Sequence, residues 1–84
     1  MKLRYWGSMP EMDQKQIEAL IKAAAEGKLI IEVDFVDVLS HGDRALSEHI
    51  IVTPTLDRLD PLPTLRLIAI PDDAQKVLKK IKED

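Results

Sequence analysis

The feature that most constrains the fold is a proline within a run of β-forming residues near the middle of the chain, IIVTPTL at residues 50–56. Proline lacks the backbone N–H that a central strand needs, so Pro54 is better placed immediately before a strand than inside one. The ring also pushes Thr53 toward an extended conformation, and the strand then covers residues 55–59. Because only X-Pro bonds adopt the cis form at modest cost, a cis bond between Thr53 and Pro54 is chemically permitted.

Composition restricts the class of protein. The 84 residues form one domain, residues 1–84, and leave no room for a second core. The net charge of −3 argues against a nucleic-acid-binding protein, which normally carries a basic excess on one face. The lack of cysteine excludes disulfides, cysteine–zinc sites and dithiol redox chemistry. No apolar run approaches the roughly 20 residues of a membrane span and the N-terminus lacks a signal-peptide core, so we expect a cytoplasmic protein.

The first half of the chain predicts a strand, a helix and a second strand. Residues 3–6 form the first strand, and Pro10 marks the first turn of a helix that begins near Ser8 or Met9. We expect Gly27 to end this helix as a left-handed cap. Four apolar residues at i, i+3, i+4 and i+7 form one stripe of the helix, namely Ile17, Leu20, Ile21 and Ala24.

Acidic and apolar residues alternate along the second strand, which covers residues 29–36. Ile31, Val33 and Phe35 alternate with Glu32 and Asp34, which predicts one buried face and one that is wet or near an edge. A right-handed crossover makes this strand parallel to the first. The two acids have two interpretations of equal weight, as guards of an open sheet edge or as a partner-binding surface.

The second half predicts a short helix, two strands and a final helix. Asp43 caps the short helix at residues 44–49, and residues 64–70 form the fourth strand. A PDD segment at residues 71–73 ends that strand and begins the last helix, in which acids precede lysines as the helix dipole favours. Its apolar stripe consists of Ala74, Val77, Leu78 and Ile81.

The predicted order of elements, β-α-β-α-β-β-α, resembles the thioredoxin-like α/β fold. The resemblance implies a four-stranded mixed sheet and a cis-proline at Pro54. In such proteins the backbone before the proline faces a peptide or thiol ligand and can add a strand to one. Because no cysteine or other nucleophile lies beside it, we interpret Thr53, Pro54 and Thr55 as a structural joint rather than a ligand site.

The two histidines are candidates for a metal or acid–base site. His41 and His49 are eight residues apart, with Asp43 and Glu48 close by. A catalytic cluster would need these groups to converge on a pocket, but one histidine lies in a loop and the other at a helix end. We therefore interpret them as solvated groups and predict no catalytic residue, no metal ligand and no cofactor.

Between residues 36 and 78 the chain resembles the KaiB family of circadian clock proteins, without a gap. The motifs are VDVL at residues 36–39, LSE at 46–48, IIVTPTL at 50–56, PLP at 61–63, RLI at 66–68 and KVL at 76–78. The N-terminal half matches more loosely, mainly through Gly7 and Pro10.

This resemblance implies a non-enzymatic, KaiB-like protein-binding module with a role in circadian rhythm. KaiB proteins bind the ring-shaped ATPase KaiC and compete with a similar domain of the clock kinase SasA. They are metamorphic: they switch between a thioredoxin-like state that binds the partner and a tetrameric fold. Here the charged last helix favours a thioredoxin-like monomer, with a tetramer of the alternative fold as a minor form. The alternatives are a stress or signalling adaptor that no longer binds a clock ATPase, or the sensor-type domain of a clock kinase.

The chain departs from the family on the second strand, near the partner-binding edge. Asp34, beside Glu32, corresponds to a basic residue in the family, and such a charge reversal can steer away the usual partner. Trp6 stands where smaller residues are usual. A tryptophan is more often a core residue than a ligand platform, although an edge position would make Trp6 an interface anchor. The candidate partner-binding residues are Trp6, Gln14, Ile31, Glu32, Val33 and Asp34.

Overall fold

The computed structural model describes residues 1–68 and 70–82. Within these ranges it contains the predicted elements in the predicted order, so the β-α-β-α-β-β-α prediction is confirmed. The elements are β1 (Lys2–Gly7), α1 (Pro10–Glu26), β2 (Glu32–Asp37), α2 (Gly42–Ser47), β3 (Thr55–Asp60), β4 (Leu65–Ile68) and α3 (Ala74–Lys82). The predicted fourth strand also included Ala69, which lies outside the described residues. No helix in the described ranges is long and apolar enough to cross a membrane.

The four strands form one mixed sheet in the order β2-β1-β3-β4. β1 is parallel to β2 and antiparallel to β3, and β4 is antiparallel to β3. The parallel pairing of β1 and β2 was expected, and the strand order places β2 at one edge of the sheet and β4 at the other. The Thr53–Pro54 bond immediately before β3 is cis, as predicted for this fold.

The hydrophobic core lies on the face of the sheet that α1 and α3 cover. Leu3, Tyr5 and Leu56 project from the sheet into this core, because alternate residues of a strand point to the same face. The helices contribute Ile17, Leu20, Ala24, Val77, Leu78 and Ile81. Most of the predicted helical stripe is thus confirmed, but Ile21 is 41% exposed. The buried stripe of α1 is narrower than predicted, and Ile21 lies at its margin.

The prediction that Gly27 is the left-handed cap of α1 is wrong by one residue. Gly27 has a φ of −88°, whereas Lys28 has a φ of 60°. The N–H of Leu29 donates to the carbonyl of Ala24 at 2.8 Å, and the N–H of Lys28 to that of Ala25 at 2.9 Å. These are the two hydrogen bonds of a Schellman motif, whose left-handed position is Lys28. Because Leu29 completes the helix end, β2 begins at Glu32 rather than at residue 29.

The short helix also starts and ends earlier than predicted. It spans Gly42–Ser47, so Asp43 lies in its first turn instead of capping it, and His41 occupies the cap position. His49 lies beyond the helix at a φ of 60°, and the N–H of Ile50 donates to the carbonyl of Ala45 at 2.8 Å. This is the same Schellman geometry as in α1, and its left-handed residue is again not glycine.

Candidate protein-binding surface

The outer edge of β2 carries residues that the sequence predicts to bind a partner protein. Among the described strands, β2 pairs with β1 alone, so its other side carries backbone N–H and C=O groups without a strand partner. Glu32 and Asp34 are exposed on this strand, while Val33 and Phe35 are partly buried against the core. The edge therefore combines acidic side chains on one face with apolar ones on the other, next to available backbone groups.

Asp34 is held by an arginine on the neighbouring strand. The Nε of Arg4 donates to Oδ2 of Asp34 at 3.0 Å, and the two side chains are 27% and 51% exposed. Lys2 is the register partner of Glu32 in the same pair of strands. The exposed half of the Asp34 side chain is available to a partner. Because exposed ion pairs contribute little stability, breaking the contact with Arg4 would destabilise the fold only slightly.

Asp34 belongs to a row of alternating charges that crosses the whole sheet. Asp34 on β2 pairs in register with Arg4 on β1. Arg4 in turn pairs with Asp57 on β3, and Asp57 pairs with Arg66 on β4. Arg66 binds Asp57 with two nitrogens, Nε to Oδ1 at 2.7 Å and Nη2 to Oδ2 at 2.9 Å. This bidentate contact raises the pKa of Arg66, chiefly through the hydrogen bond to Asp57. Sequence analysis missed this row because it is non-local.

Trp6 is a core residue and not an interface anchor. Its side chain is fully buried and packs with Val36 and Ala45 beneath α2. Its Nε1 donates to Oδ2 of Asp57 at 2.9 Å. The guanidinium carbons of Arg4 and Arg44 lie 5.9 and 5.8 Å from the ring centroid, within the range of cation–π attraction. The indole is thus unavailable to a partner in this structure, and that part of the predicted surface is wrong.

The other candidate partner residues divide between two elements. Ile31 is 7% exposed and belongs to the core beneath α1 and α3, so it does not offer a contact surface. Gln14 is exposed in α1, on a different element from β2. The accessible members of the predicted set on one strand are therefore Glu32, Val33 and Asp34.

Hydroxyl groups tie the start of β3 to the junction between β1 and α1. Oγ of Ser8 lies 3.0 Å from Oγ1 of Thr53. Oγ1 of Thr55 donates to the carbonyl of Val52 at 2.6 Å, and Thr55 is buried. These contacts agree with a structural joint at Thr53, Pro54 and Thr55.

A buried polar cluster lies where α1 meets β1. Oδ2 of Asp13 accepts from the N–H of Met9 at 2.9 Å, and the hydroxyl of Tyr5 lies 3.2 Å from Oδ1 of Asp13 and 2.6 Å from Oε1 of Gln16. Burial raises the pKa of Tyr5, and the charge and hydrogen bond of Asp13 add to the effect, so the hydroxyl remains protonated. A Cβ on Gly7 would overlap the carboxylate of Asp13, which is why glycine stands there.

The two histidines lie outside these contacts. Nδ1 of His41 is 3.3 Å from the carbonyl of Asp37, and His49 lies just beyond α2 at a φ of 60°. Within residues 1–68 and 70–82, no three histidine or acidic side chains come close enough together to hold a metal ion.

Comparison with known proteins supports the fold and the family. Residues 9–82 match the family model of the KaiB domain, and no curated protein matches the sequence. The N-terminal domain of SasA from Synechococcus elongatus superposes with a TM-score of 0.70 at 17% identity, covering 96% of this chain and 79% of that one. Thioredoxin 1 from Thermosipho africanus TCF52B gives a TM-score of 0.65 at 18% identity, covering 98% and 91%. The chain is a thioredoxin-like member of the KaiB domain family.

Proposed function

We propose that this chain is a non-enzymatic circadian clock regulator that binds a KaiC-type ATPase ring in its thioredoxin-like state. The observation that carries the proposal is the open edge of β2, where Glu32, Val33 and Asp34 are accessible beside backbone groups that lack a strand partner. An edge of this kind accepts an extended partner segment through main-chain hydrogen bonds, and its side chains select the partner. Membership of the KaiB domain family supports a clock ATPase as that partner.

The charge of this edge supports the second candidate, an adaptor that no longer binds a clock ATPase. Asp34 stands where the resemblance places a basic residue, and Glu32 adds a second acid. Like charges brought together across an interface oppose binding, whereas opposite charges accelerate association. A partner that complements a basic edge is therefore disfavoured here, and a partner with a basic contact surface is favoured.

A binding experiment with charge-reversal variants separates the two candidates. The purified protein and its Asp34→Lys variant are titrated against a KaiC-type ATPase ring, and complex formation is followed by sedimentation velocity. Glu18→Lys is the matched control, because Glu18 is exposed on α1 and undergoes the same change of charge. If the ring binds at the β2 edge, we expect Asp34→Lys to change the affinity by at least about tenfold and Glu18→Lys to leave it unchanged.

The outcomes assign the function. Binding of the unmodified protein supports the clock regulator, and binding by Asp34→Lys alone supports an adaptor that lost the ring through its edge charges. Failure of both proteins to bind the ring overturns the clock partner. Equal effects of Asp34→Lys and Glu18→Lys overturn the β2 edge as the contact surface.

The proposal includes a thioredoxin-like monomer as the ground state and the alternative tetrameric fold as a minor form. Val77, Leu78 and Ile81 are buried on one side of α3, whereas Lys79, Lys80 and Lys82 are exposed, and a strand would scatter this helical stripe over both faces. Helical secondary chemical shifts from Lys76 to Lys82 and a monomer in sedimentation are expected. Strand shifts there, or a dominant tetramer at micromolar concentration, would contradict this.

A further inference from the structure

A small cavity lies between the two helices that cover the core face of the sheet. Its volume is about 160 Å³. Ala19 and Leu20 line it from α1, Val77 lines it from α3, and Tyr5 and Leu56 line it from the sheet. The rest of the lining comes from residues 70–72 and the first turn of α3. No lining residue lies on β2 or within residues 50–55, so this cavity is separate from the surface proposed above.

The size of the cavity limits what can enter it. Most of its lining side chains are aliphatic. An aliphatic cavity of about 150 Å³ stays dry and binds benzene, so a phenyl ring or a branched aliphatic group fits a space of this volume. Pockets for larger ligands measure roughly 300–1,000 Å³. The cavity therefore suits one small apolar group.

Two side chains of opposite charge line the same cavity. Lys15 comes from α1 and Asp72 from the segment before α3, and both are exposed. Within residues 1–68 and 70–82 neither side chain takes part in an ion pair, with the other or with a third residue. A ligand in the cavity thus meets a cation on one side and an anion on the other.

Gln16 adds a polar group beside the cation. It follows Lys15 on α1 and also lines the cavity. The hydroxyl of Tyr5 donates to Oε1 of Gln16 at 2.6 Å, and the amide nitrogen of Gln16 makes no hydrogen bond with another described residue. A carboxylate accepts from ammonium and amide donors alike. The α1 side of the cavity therefore suits a carboxylate, and the Asp72 side suits an ammonium group.

We propose that this cavity binds a free α-amino acid with an apolar side chain of the size of leucine or phenylalanine. The side chain fills the cavity, the carboxylate contacts Lys15 and Gln16, and the ammonium group contacts Asp72. A simple carboxylic acid would bring its charge toward Asp72 and leave that acid without a cation. An apolar side chain of a partner protein, or of a second copy, is flanked by uncharged peptide groups and would match neither charge. The site does not depend on the clock ATPase.

The site is tested by titrating ¹⁵N-labelled protein with L-phenylalanine and following the amide shifts. We expect saturable shifts at Lys15, Gln16, Ala19 and Asp72, with a dissociation constant of about 1 mM or below, as a ligand of this size allows. Phenylpropionate, which lacks the ammonium group, and phenethylamine, which lacks the carboxylate, should each bind at least about tenfold more weakly. L-Alanine, which leaves the cavity unfilled, should lose a similar factor.

Charge variants test which side chain holds which end of the ligand. Asp72→Asn should weaken binding of phenylalanine about tenfold and remove its advantage over phenylpropionate. Lys15→Gln should weaken it similarly and remove its advantage over phenethylamine. Glu18→Gln and Lys22→Gln are the matched controls, because both residues are exposed on α1 outside the cavity. The controls should leave the affinity unchanged.

A third pair of variants tests the cavity itself. Ala19→Leu places a larger side chain into the lining and should abolish binding of phenylalanine. Ala25→Leu makes the same change at an exposed position of α1 outside the cavity and should leave binding unchanged.

Three outcomes would overturn the proposal. Equal affinity for phenylalanine and phenylpropionate would mean that the site takes any apolar anion. Equal affinity for N-acetylphenylalanine amide, which carries neither charge, would mean that the occupant is a segment of a protein chain. The absence of saturable shifts at the cavity with either phenylalanine or leucine would leave no site. This ligand series uses the unmodified protein, so it decides these points even if a variant misfolds, and none of its results bears on ring binding at the β2 edge.

Discussion

The two faces of the sheet are stabilised in different ways. The face beneath α1 and α3 carries Leu3, Tyr5 and Leu56 in a core of aliphatic side chains. The face toward α2 buries one indole, Trp6, among a row of alternating charges that ends in exposed residues at both edges. Burial on the first face depends mainly on apolar area, and its buried Arg58 donates to the carbonyls of Ile81 and Pro63. On the second face each buried polar group depends on a specific partner, because an unpaired one is costly.

The largest expected effect tests the apolar face. Leu20 is 4% exposed and packs in the core, whereas its neighbour Ile21 is 41% exposed. Leu20→Ala should lower the free energy of unfolding by roughly 2–5 kcal/mol, as lost burial and a cavity predict. Ile21→Ala, the matched control, should cost about 1 kcal/mol or less. Urea denaturation followed by circular dichroism measures both, and equal losses would mean that the inner face of α1 is misassigned.

The next effect tests the polar face. Asp57 is buried and accepts from both Trp6 and Arg66, so Asp57→Ala leaves two donors without their acceptor. We expect the free energy of unfolding to fall by roughly 2–4 kcal/mol. This is less than for a fully buried pair, because Arg66 is partly exposed. Asp34→Ala removes an acid from the exposed end of the same row and should cost under about 1 kcal/mol.

Salt distinguishes the two ends of the row. The small loss of stability caused by Asp34→Ala should shrink further in high salt, whereas the loss caused by Asp57→Ala should persist. Salt screens buried ion pairs much less than exposed ones. If the two aspartates gave the same loss of stability, the row would be a uniform surface network and the contrast between the faces would fail.

The difference between the faces also explains how much could be predicted from sequence. The stripe of Leu20 in α1 and that of Ile81 in α3 repeat every three or four residues, so periodicity alone identified the apolar face. Alternation along β2 identified an edge strand with exposed acids. The charged row could not be found in this way, because Asp34, Arg4, Asp57 and Arg66 become neighbours only through the register of four strands.

The errors at individual residues have local causes. Trp6 was a candidate for the surface because its type is common at interfaces, but its acceptor, Asp57, lies 51 residues away in the chain. Residue type predicts Gly27 as the left-handed cap, although the φ angles and hydrogen bonds of the helix end assign that conformation to Lys28. Residue type gives only a preference for burial or for a left-handed conformation at such positions, whereas the contacts and hydrogen bonds of the folded chain decide which residue adopts it.

A third test concerns the polar cluster within the apolar face. Gly7→Ala would place a Cβ into the carboxylate of Asp13 and displace it from the N–H of Met9. We expect a loss of about 1–3 kcal/mol, which is typical of overpacking. Gly42→Ala is the control, because a Cβ there meets nothing within 4 Å and should be neutral or slightly stabilising. A neutral Gly7→Ala would mean that Asp13 moves freely and that this corner of the apolar face is not tightly packed.

The smallest expected effects should be the same on both faces, because they arise in the backbone of the helices that cover them. α1 and α2 each end with a residue at a φ of 60°, Lys28 and His49. Glycine avoids the steric penalty of this conformation but adds entropy to the unfolded chain, so Lys28→Gly and His49→Gly should each stabilise by about 0.5–1 kcal/mol. Thermal unfolding of the two variants measures this.

Gly27 provides the opposite control for the helix ends. Its φ of −88° suits any residue, so Gly27→Ala should also stabilise by about 0.4–1 kcal/mol. If Gly27 were the left-handed residue, alanine there would destabilise the protein instead. A large difference between Lys28→Gly and His49→Gly would mean that the helix ends are coupled to the faces they cover. The contrast between the apolar core and the charged row would then extend beyond side-chain contacts into the backbone.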